Sequence, residues 1–375
     1  MPPTPAEPTT TGQPVAEGPA WAEPYDALIR TLSQAFAPIT CATPLEAAVQ
    51  QRALLDRWRA GAEEAPRWSP PPIDRHALSH ARAAVDRARS MLGGASAWER
   101  IYAARLAELA LDLALVDASF SPTVIASAHA RWGATDPDAD RLAASWAREA
   151  ANEASPAERV ATDDERDPRS LVARLRRDIG AARLGVRVVV RERIGALAAS
   201  GDGVVVVSRG RTASEREITR VALHELEGHV LPRERARALR PGLACLGSAG
   251  AAEDEEGRAI VLEERASLLH AGRRRALGLR HLAARWVLAD ASFVELVRAL
   301  TREHGEPLEE ALRTAARAMR GGYRKGGDVH GGIGREIIYL PGYLRVRRAA
   351  RADAALLDRL GSARLSMATR DELGI

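Results

Sequence analysis

Two histidines stand five positions apart on one apolar segment, and that spacing restricts how the segment can fold. Thr219, Val221, Ala222 and Leu223 run into His224-Glu225-Leu226-Glu227-Gly228-His229, which marks a helix entering from a buried side. On a regular α-helix, residues five apart are rotated by about 500°, so they face roughly 140° away from one another. The two imidazoles can converge only if the helix widens into a π-bulge or leaves ideal geometry before the second histidine. Gly228 stands where the backbone deviates most easily. The spacing therefore predicts an irregular helix around Glu227-Gly228.

Two histidines with a glutamate beside the first are the residue types of a zinc site: imidazoles ligate the metal, and the carboxylate activates water. The familiar spacing is HExxH, whereas this chain carries HExxxH. A match of this kind is expected by chance on the order of 0.01 to 0.02 times in such a composition, which favours a site over an ordinary surface helix. A zinc site also needs a third protein ligand. The acidic segment Glu253-Asp254-Glu255-Glu256-Gly257-Arg258-Ala259 offers one. Carboxylates there also suit the positive end of a helix dipole, and that is the plainer reading of Glu253 and Glu255.

The rest of the chain reads as α+β and predominantly helical. Its 375 residues, 46% of them hydrophobic, are enough for a sizeable core. Residues 1–20, rich in Pro, Thr and Gly, read as a disordered tail. Residues 21–182 form a helical N-terminal region: Leu45, Ala48, Val49, Leu54 and Leu55 share one face, and Leu106, Leu109, Leu111 and Leu115 recur on another. Breaks fall at Pro70-Pro71-Pro72, at Gly93-Gly94 and at Ser121-Pro122, with Ser121 as N-cap and Pro122 as first helical residue.

Residues 183–375 are read as the metallopeptidase catalytic domain, on which the helical N-terminal region packs. Val186–Val190 and Val204–Val207 are short β-branched strands of a small sheet, with Gly201-Asp202-Gly203 turning into the second. Helices are predicted over 214–231, 254–272, 283–300 and 306–319, then a glycine-rich loop over 321–334, an extended run Ile337–Leu340 and a last helical stretch.

Charge and targeting narrow the function classes. A net charge of +4, interleaved along the chain, leaves no basic block for nucleic acid. Lys325 is the single lysine; Arg and Ala predominate throughout, as codon bias in a GC-rich genome produces. Cys41 and Cys245 match no metal or redox spacing and read as reduced packing residues. No secretory start and no run of roughly 18 to 20 apolar residues is present, so the expected compartment is the cytoplasm, without a membrane partner. The oligomeric state stays open.

The HExxxH segment followed by Glu-Gly-x-Ala resembles the family of microtubule-associated tyrosine carboxypeptidases and their bacterial QEGLA-motif relatives. Phe120-Ser121, Ser127 and Gly133, the stretch Ala283–Phe293, the run Arg317-Ala318-Met319-Arg320-Gly321-Gly322 and Tyr339-Leu340-Pro341-Gly342 extend the likeness over most of residues 25–350. The resemblance implies a zincin-like metallopeptidase holding Zn2+ on His224, His229 and Glu256, with Glu225 as the catalytic glutamate. It selects Glu256 because the metal-binding Glu of the motif is the one before Gly. One departure is Arg258, where the family usually has Leu. The implied substrate is a peptide or protein C-terminus.

Further roles follow from the implied chemistry. Tyr339, after the glycine-rich loop and at a family position, is the candidate oxyanion donor beside the metal; a half-buried strand tyrosine is the alternative. Recognition of a terminal carboxylate calls for a guanidinium fork, and Arg317 and Arg320, with Lys325 and His330, are the candidates. Two other readings remain: a non-haem metal oxygenase, which shares the two-His-one-carboxylate set, and a catalytically inactive binding protein on the same scaffold.

Overall fold

In a computed structural model the protein is described over residues 18–45, 47–133, 136–150, 158–192 and 195–375. The tail predicted over residues 1–20 lies outside the described residues up to residue 17. The architecture is predominantly helical α+β with three small sheets among the described residues. No helix among them is long and apolar enough to cross a membrane.

Helix α1 (Glu23–Ala35) packs with α2 (Arg75–Ser90) and α3 (Ala97–Ala118). Helix α3 begins at a capping box, in which Ser96 and Glu99 satisfy each other's backbone N–H groups. Its Ile101, Tyr102, Leu106, Leu109 and Leu113 meet Ile29 and Leu32 of α1 and Leu78 and Val85 of α2, and Leu243 joins this core from the C-terminal half. Leu54 and Leu55 are buried as their spacing predicts, against Leu279, Phe293 and Leu312. Leu45 is not: it precedes the helix Ala47–Arg59 and is exposed, while the side chains of Ala48 and Val49 lie outside the described residues.

Ser121 is not a helix cap. The helix starts at Val124, after Thr123, because the Ser121 hydroxyl turns back to the Ala118 carbonyl at 2.7 Å and to Thr123 Oγ1 at 2.7 Å.

The valine runs form strands as expected. Strand β1 (Arg159–Ala161) pairs antiparallel with β5 (Thr212–Ser214), while β2 (Arg187–Arg191), β3 (Ala198–Gly201) and β4 (Val204–Ser208) build a sheet of order β2-β4-β3. Val188 pairs with Val205 in parallel, and Ala199 with Val206 antiparallel. Strand β3, Ala-Ala-Ser-Gly, has no β-branched residue and left no propensity signal. Val205 and Val207 are fully buried against Leu171 and Leu175 and against Ile218 and Val221 of α4 (Glu215–Leu223).

The C-terminal helices are α5 (Ala251–Arg265), α6 (Ala271–Leu288), α7 (Leu308–Ala318) and α8 (Tyr339–Ala352). The helix predicted over 283–300 is two: α6 ends at Leu288, Asp290 takes a left-handed φ of 67°, and Ser292 caps a new helix, Phe293–Arg298, through a capping box with Glu295. The glycine-rich loop holds a hairpin, Tyr323–Lys325 against Asp328–His330, turned by Gly326 and Gly327, both at positive φ. Ile337–Leu340 is not extended. Residues Arg335–Ile338 form a 3-10 turn that runs into α8, and Ile338, Tyr339 and Leu340 are all buried, so no alternation separated strand from helix.

Candidate metal centre

Helix α4 begins at a second capping box, Ser214 with Glu217, and changes register at the motif. Residues His224–Val230 are π-helical, so the departure that the spacing requires spans the whole motif rather than Glu227-Gly228 alone. The ring centroids of His224 and His229 come within 5.1 Å, and their Nε2 atoms within 3.4 Å.

Glu256 completes the group. It lies on α5, and α5 can approach the π-helical segment because Gly228 has no side chain: a Cβ there would stand 2.7 Å from that of Ala259. Glu256 Oε2 is 3.6 Å from His224 Nε2 and 3.8 Å from His229 Nε2. Ligands about 2.0–2.1 Å from a tetrahedral zinc lie roughly 3.3 Å from one another, close to these separations. Among the described residues Glu256 Oε2 is also buried without a hydrogen-bond partner, so it is a ligand atom aimed at the two imidazoles. Two imidazole nitrogens and one carboxylate oxygen suit a divalent transition metal.

Each histidine is backed by a carboxylate of α5. The Nδ1 atom of His224 lies 2.8 Å from Glu263 Oε1. Glu263 is fully buried and takes Arg273 in two hydrogen bonds of 2.8 and 2.9 Å and Arg220 at 3.3 Å. His229 Nδ1 lies 3.7 Å from Glu255 Oε1, and Arg364 holds Glu255 through Nε and Nη2. Glu255 is therefore more than an acidic helix start, because the helix turns it inward beside the ligand. Such partners orient the imidazole and raise its basicity toward a metal.

Charge is arranged accordingly. Burial resists ionisation of Glu255, Glu256 and Glu263, yet the adjoining cations hold all three below the usual carboxylate range. Burial likewise opposes a proton on His224, but Glu256 and Glu263 hold its pKa up to about 9. Glu225 is buried, and its charge adds to this field on His224.

The second Glu256 oxygen faces a different set. Its Oε1 accepts from Arg335 Nη2 at 3.1 Å. Arg335 Nη1 and Arg317 Nη2 both donate to the Tyr339 hydroxyl, at 3.0 and 3.1 Å. Arg317 and Arg320 pair with the buried Glu336, at 2.8 and 3.3 Å. Tyr339, Arg317 and Arg320 thus gather on one side of the histidine group, one guanidinium away from Glu256. Lys325 and His330 do not join them: Lys325 Nζ bonds Asp290 at 2.8 Å, and His330 Nδ1 faces the Asp290 carbonyl at 3.0 Å.

Arg335 escaped sequence reading. It stands four residues before Tyr339, a spacing that brings the two together only on a helix, and the segment reads as extended. Glu263 escaped it as well: it lies seven residues beyond Glu256, on the same face of α5, but that spacing does not show which side chain the face meets.

The Arg258 departure has a local cause. In the π register the donor to the Glu227 carbonyl would come from residue 232, which is Pro232 and has no N–H. Arg258 supplies the missing donor from Nη1 and bonds the Leu357 carbonyl through Nε at 2.8 Å.

Comparison with curated proteins returns no match, and neither does comparison with solved structures. A family model described as microtubule-associated tyrosine carboxypeptidase matches residues 58–366, which include α4, the π-helical segment, α5 and α8. The chain therefore belongs to the microtubule-associated tyrosine carboxypeptidase family, and its membership implies a carboxypeptidase-like activity.

Proposed function

We propose that the protein is a zinc-dependent, zincin-like carboxypeptidase that removes a residue from a peptide or protein C-terminus by hydrolysis. The observation that carries this reading is the convergence of His224 Nε2, His229 Nε2 and the partnerless Glu256 Oε2, with Glu225 buried beside His224. Those three residues would hold the metal, which supplies Lewis-acid activation of a water and of the scissile carbonyl.

The remaining work falls to the chain's own groups. Glu225 accepts the proton of the attacking water and returns it to the departing amine. Tyr339, already accepting from Arg317 and Arg335, turns its own hydroxyl hydrogen toward the developing oxyanion. The guanidinium groups of Arg317 and Arg335 keep that hydroxyl in place. The basic residues on this side supply the positive field that a terminal carboxylate requires.

Two measurements test the proposal. Glu225→Gln should retain zinc while peptide cleavage falls by about 10²- to 10⁴-fold. A digest of peptides with free and amidated C-termini, read by mass spectrometry, should show single-residue losses from the free acids alone. A protein that takes up no zinc would remove the metallopeptidase reading, and internal cuts would replace carboxypeptidase with endopeptidase action.

A further inference from the structure

Arg280 lies on α6 two turns beyond Arg273, so both side chains leave the same face of that helix. Arg273 is committed to Glu263, behind His224. Arg280 is committed to nothing: among the described residues no hydrogen bond or ion pair reaches its guanidinium. The residue is half-buried, and its nitrogens are not among the buried polar atoms sealed away without a partner.

Its electrostatic neighbours are Arg317, Arg273, Glu336 and Tyr339. These residues belong to the two arms that back the metal group, one through Glu263 to His224 and the other through Tyr339 and Arg335 to Glu256. Glu336 already holds Arg317 and Arg320, and its Oε2 has no hydrogen bond to Arg280. Four guanidinium groups, those of Arg280, Arg317, Arg320 and Arg335, therefore face two carboxylates, Glu336 and Glu256. Burial and then repulsion from Arg317 depress Arg280 to about 9, the behaviour of a cation short of an anion.

We infer that Arg280 receives the terminal carboxylate of the substrate. The inference rests on the carboxypeptidase reading and assigns within it the residue that makes the enzyme specific for a free C-terminus. A planar fork with open donors matches a carboxylate in two parallel hydrogen bonds. Arg317 is engaged with Glu336 and Tyr339, Arg320 with Glu336 through Nη2, and Lys325 and His330 with Asp290, which leaves Arg280 as the fork of this group that has no hydrogen bond or ion pair among the described residues.

The test measures binding without turnover. Zinc-loaded Glu225→Gln protein is titrated by calorimetry with N-acetylated hexapeptides bearing free C-termini and with the same peptides as amides. Free acids should bind about 10- to 100-fold more tightly than amides, the range of one or two charge-assisted hydrogen bonds. Adding Arg280→Gln should collapse that ratio toward one at unchanged zinc content, and Arg280→Lys should restore part of it.

An acid preference that survives both substitutions would overturn the assignment. So would Arg280→Gln lowering thermal stability while leaving the ratio intact, the result expected if Arg280 merely neutralises Glu336. The two readings fail separately. Wild type that prefers acids through Arg280 but cleaves nothing would refute the peptidase, and cleavage with no acid preference would refute Arg280.

Discussion

Gly257 lies so close to Gly342 that a Cβ on it would stand 2.3 Å from the Gly342 carbonyl oxygen. A Cβ on Gly342 would in turn stand 2.3 Å from the Glu253 carbonyl. Because backbone rather than a flexible side chain is struck, α5 and α8 can lie at this distance only with glycine at both positions. The contact sets Glu256, the neighbour of Gly257, opposite the histidines and brings Tyr339 at the start of α8 to the same place. The Glu-Gly-x-Ala and Tyr-Leu-Pro-Gly motifs are therefore two halves of one helix contact.

Gly257→Ala should separate the two helices. The expected cost is about 1–3 kcal/mol of overpacking, accompanied by weaker zinc binding because Glu256 moves with its helix. Thermal unfolding and chelator competition read the two effects. Unchanged values in both would show that α5 and α8 separate freely and that the contact does not position the ligand.

Glu263→Gln keeps an acceptor behind His224 Nδ1 but removes its charge. Zinc affinity should fall about 10- to 100-fold, as for other partners of ligating histidines. Arg273 and Arg220 would lose their buried counter-ion, which should cost on the order of 3 kcal/mol of folding stability. Wild-type zinc affinity in this variant would reduce Glu263 to a purely structural anion.

Arg258→Leu should not be neutral here. It removes the Arg258 donor from the Glu227 carbonyl, where Pro232 has none to offer, while the Leu357 carbonyl keeps the Gly361 N–H at 3.0 Å. A loss of about 1–3 kcal/mol is expected from an unmet buried acceptor. Denaturant unfolding measures it, and a leucine variant as stable as wild type would exclude the capping role.

Acid stability should depend on Glu336. Burial resists its charge, but Arg317, Arg320 and Arg280 outweigh burial and lower its pKa from 4.5 to about 2. A depressed folded-state value means that its contribution is full above about pH 4.5 and is lost as pH falls toward 2. Glu336→Gln should therefore be less stable than wild type at neutral pH and lose less stability across that window. Parallel acid-unfolding curves for the two proteins would contradict the assignment.

Much of this was legible in one dimension. The HExxxH spacing on an apolar helix called for a π register, and the valine runs marked β2 and β4. The failures share a cause. Ile338, Tyr339 and Leu340 are buried in succession and so carry no period, β3 is built of small residues without propensity, and the side chain of Ser121 prefers a local carbonyl to a helix end.

By itself the sequence determined that His224 and His229 could not share a metal on an ordinary α-helix, because 3.6 residues per turn splay positions five apart. It could not determine what stands behind them. That Glu263 and Glu255 back the two imidazoles, that Arg335 links Glu256 to Tyr339, that Arg258 replaces the N–H missing at Pro232 and that Arg280 has no hydrogen bond or ion pair among the described residues were decided only when α5, α6 and α8 packed around the π-helical segment. Periodicity records which face of an element is buried, whereas partnership between faces depends on how closely helices approach. Here Gly228, Gly257 and Gly342 govern that approach through atoms they lack.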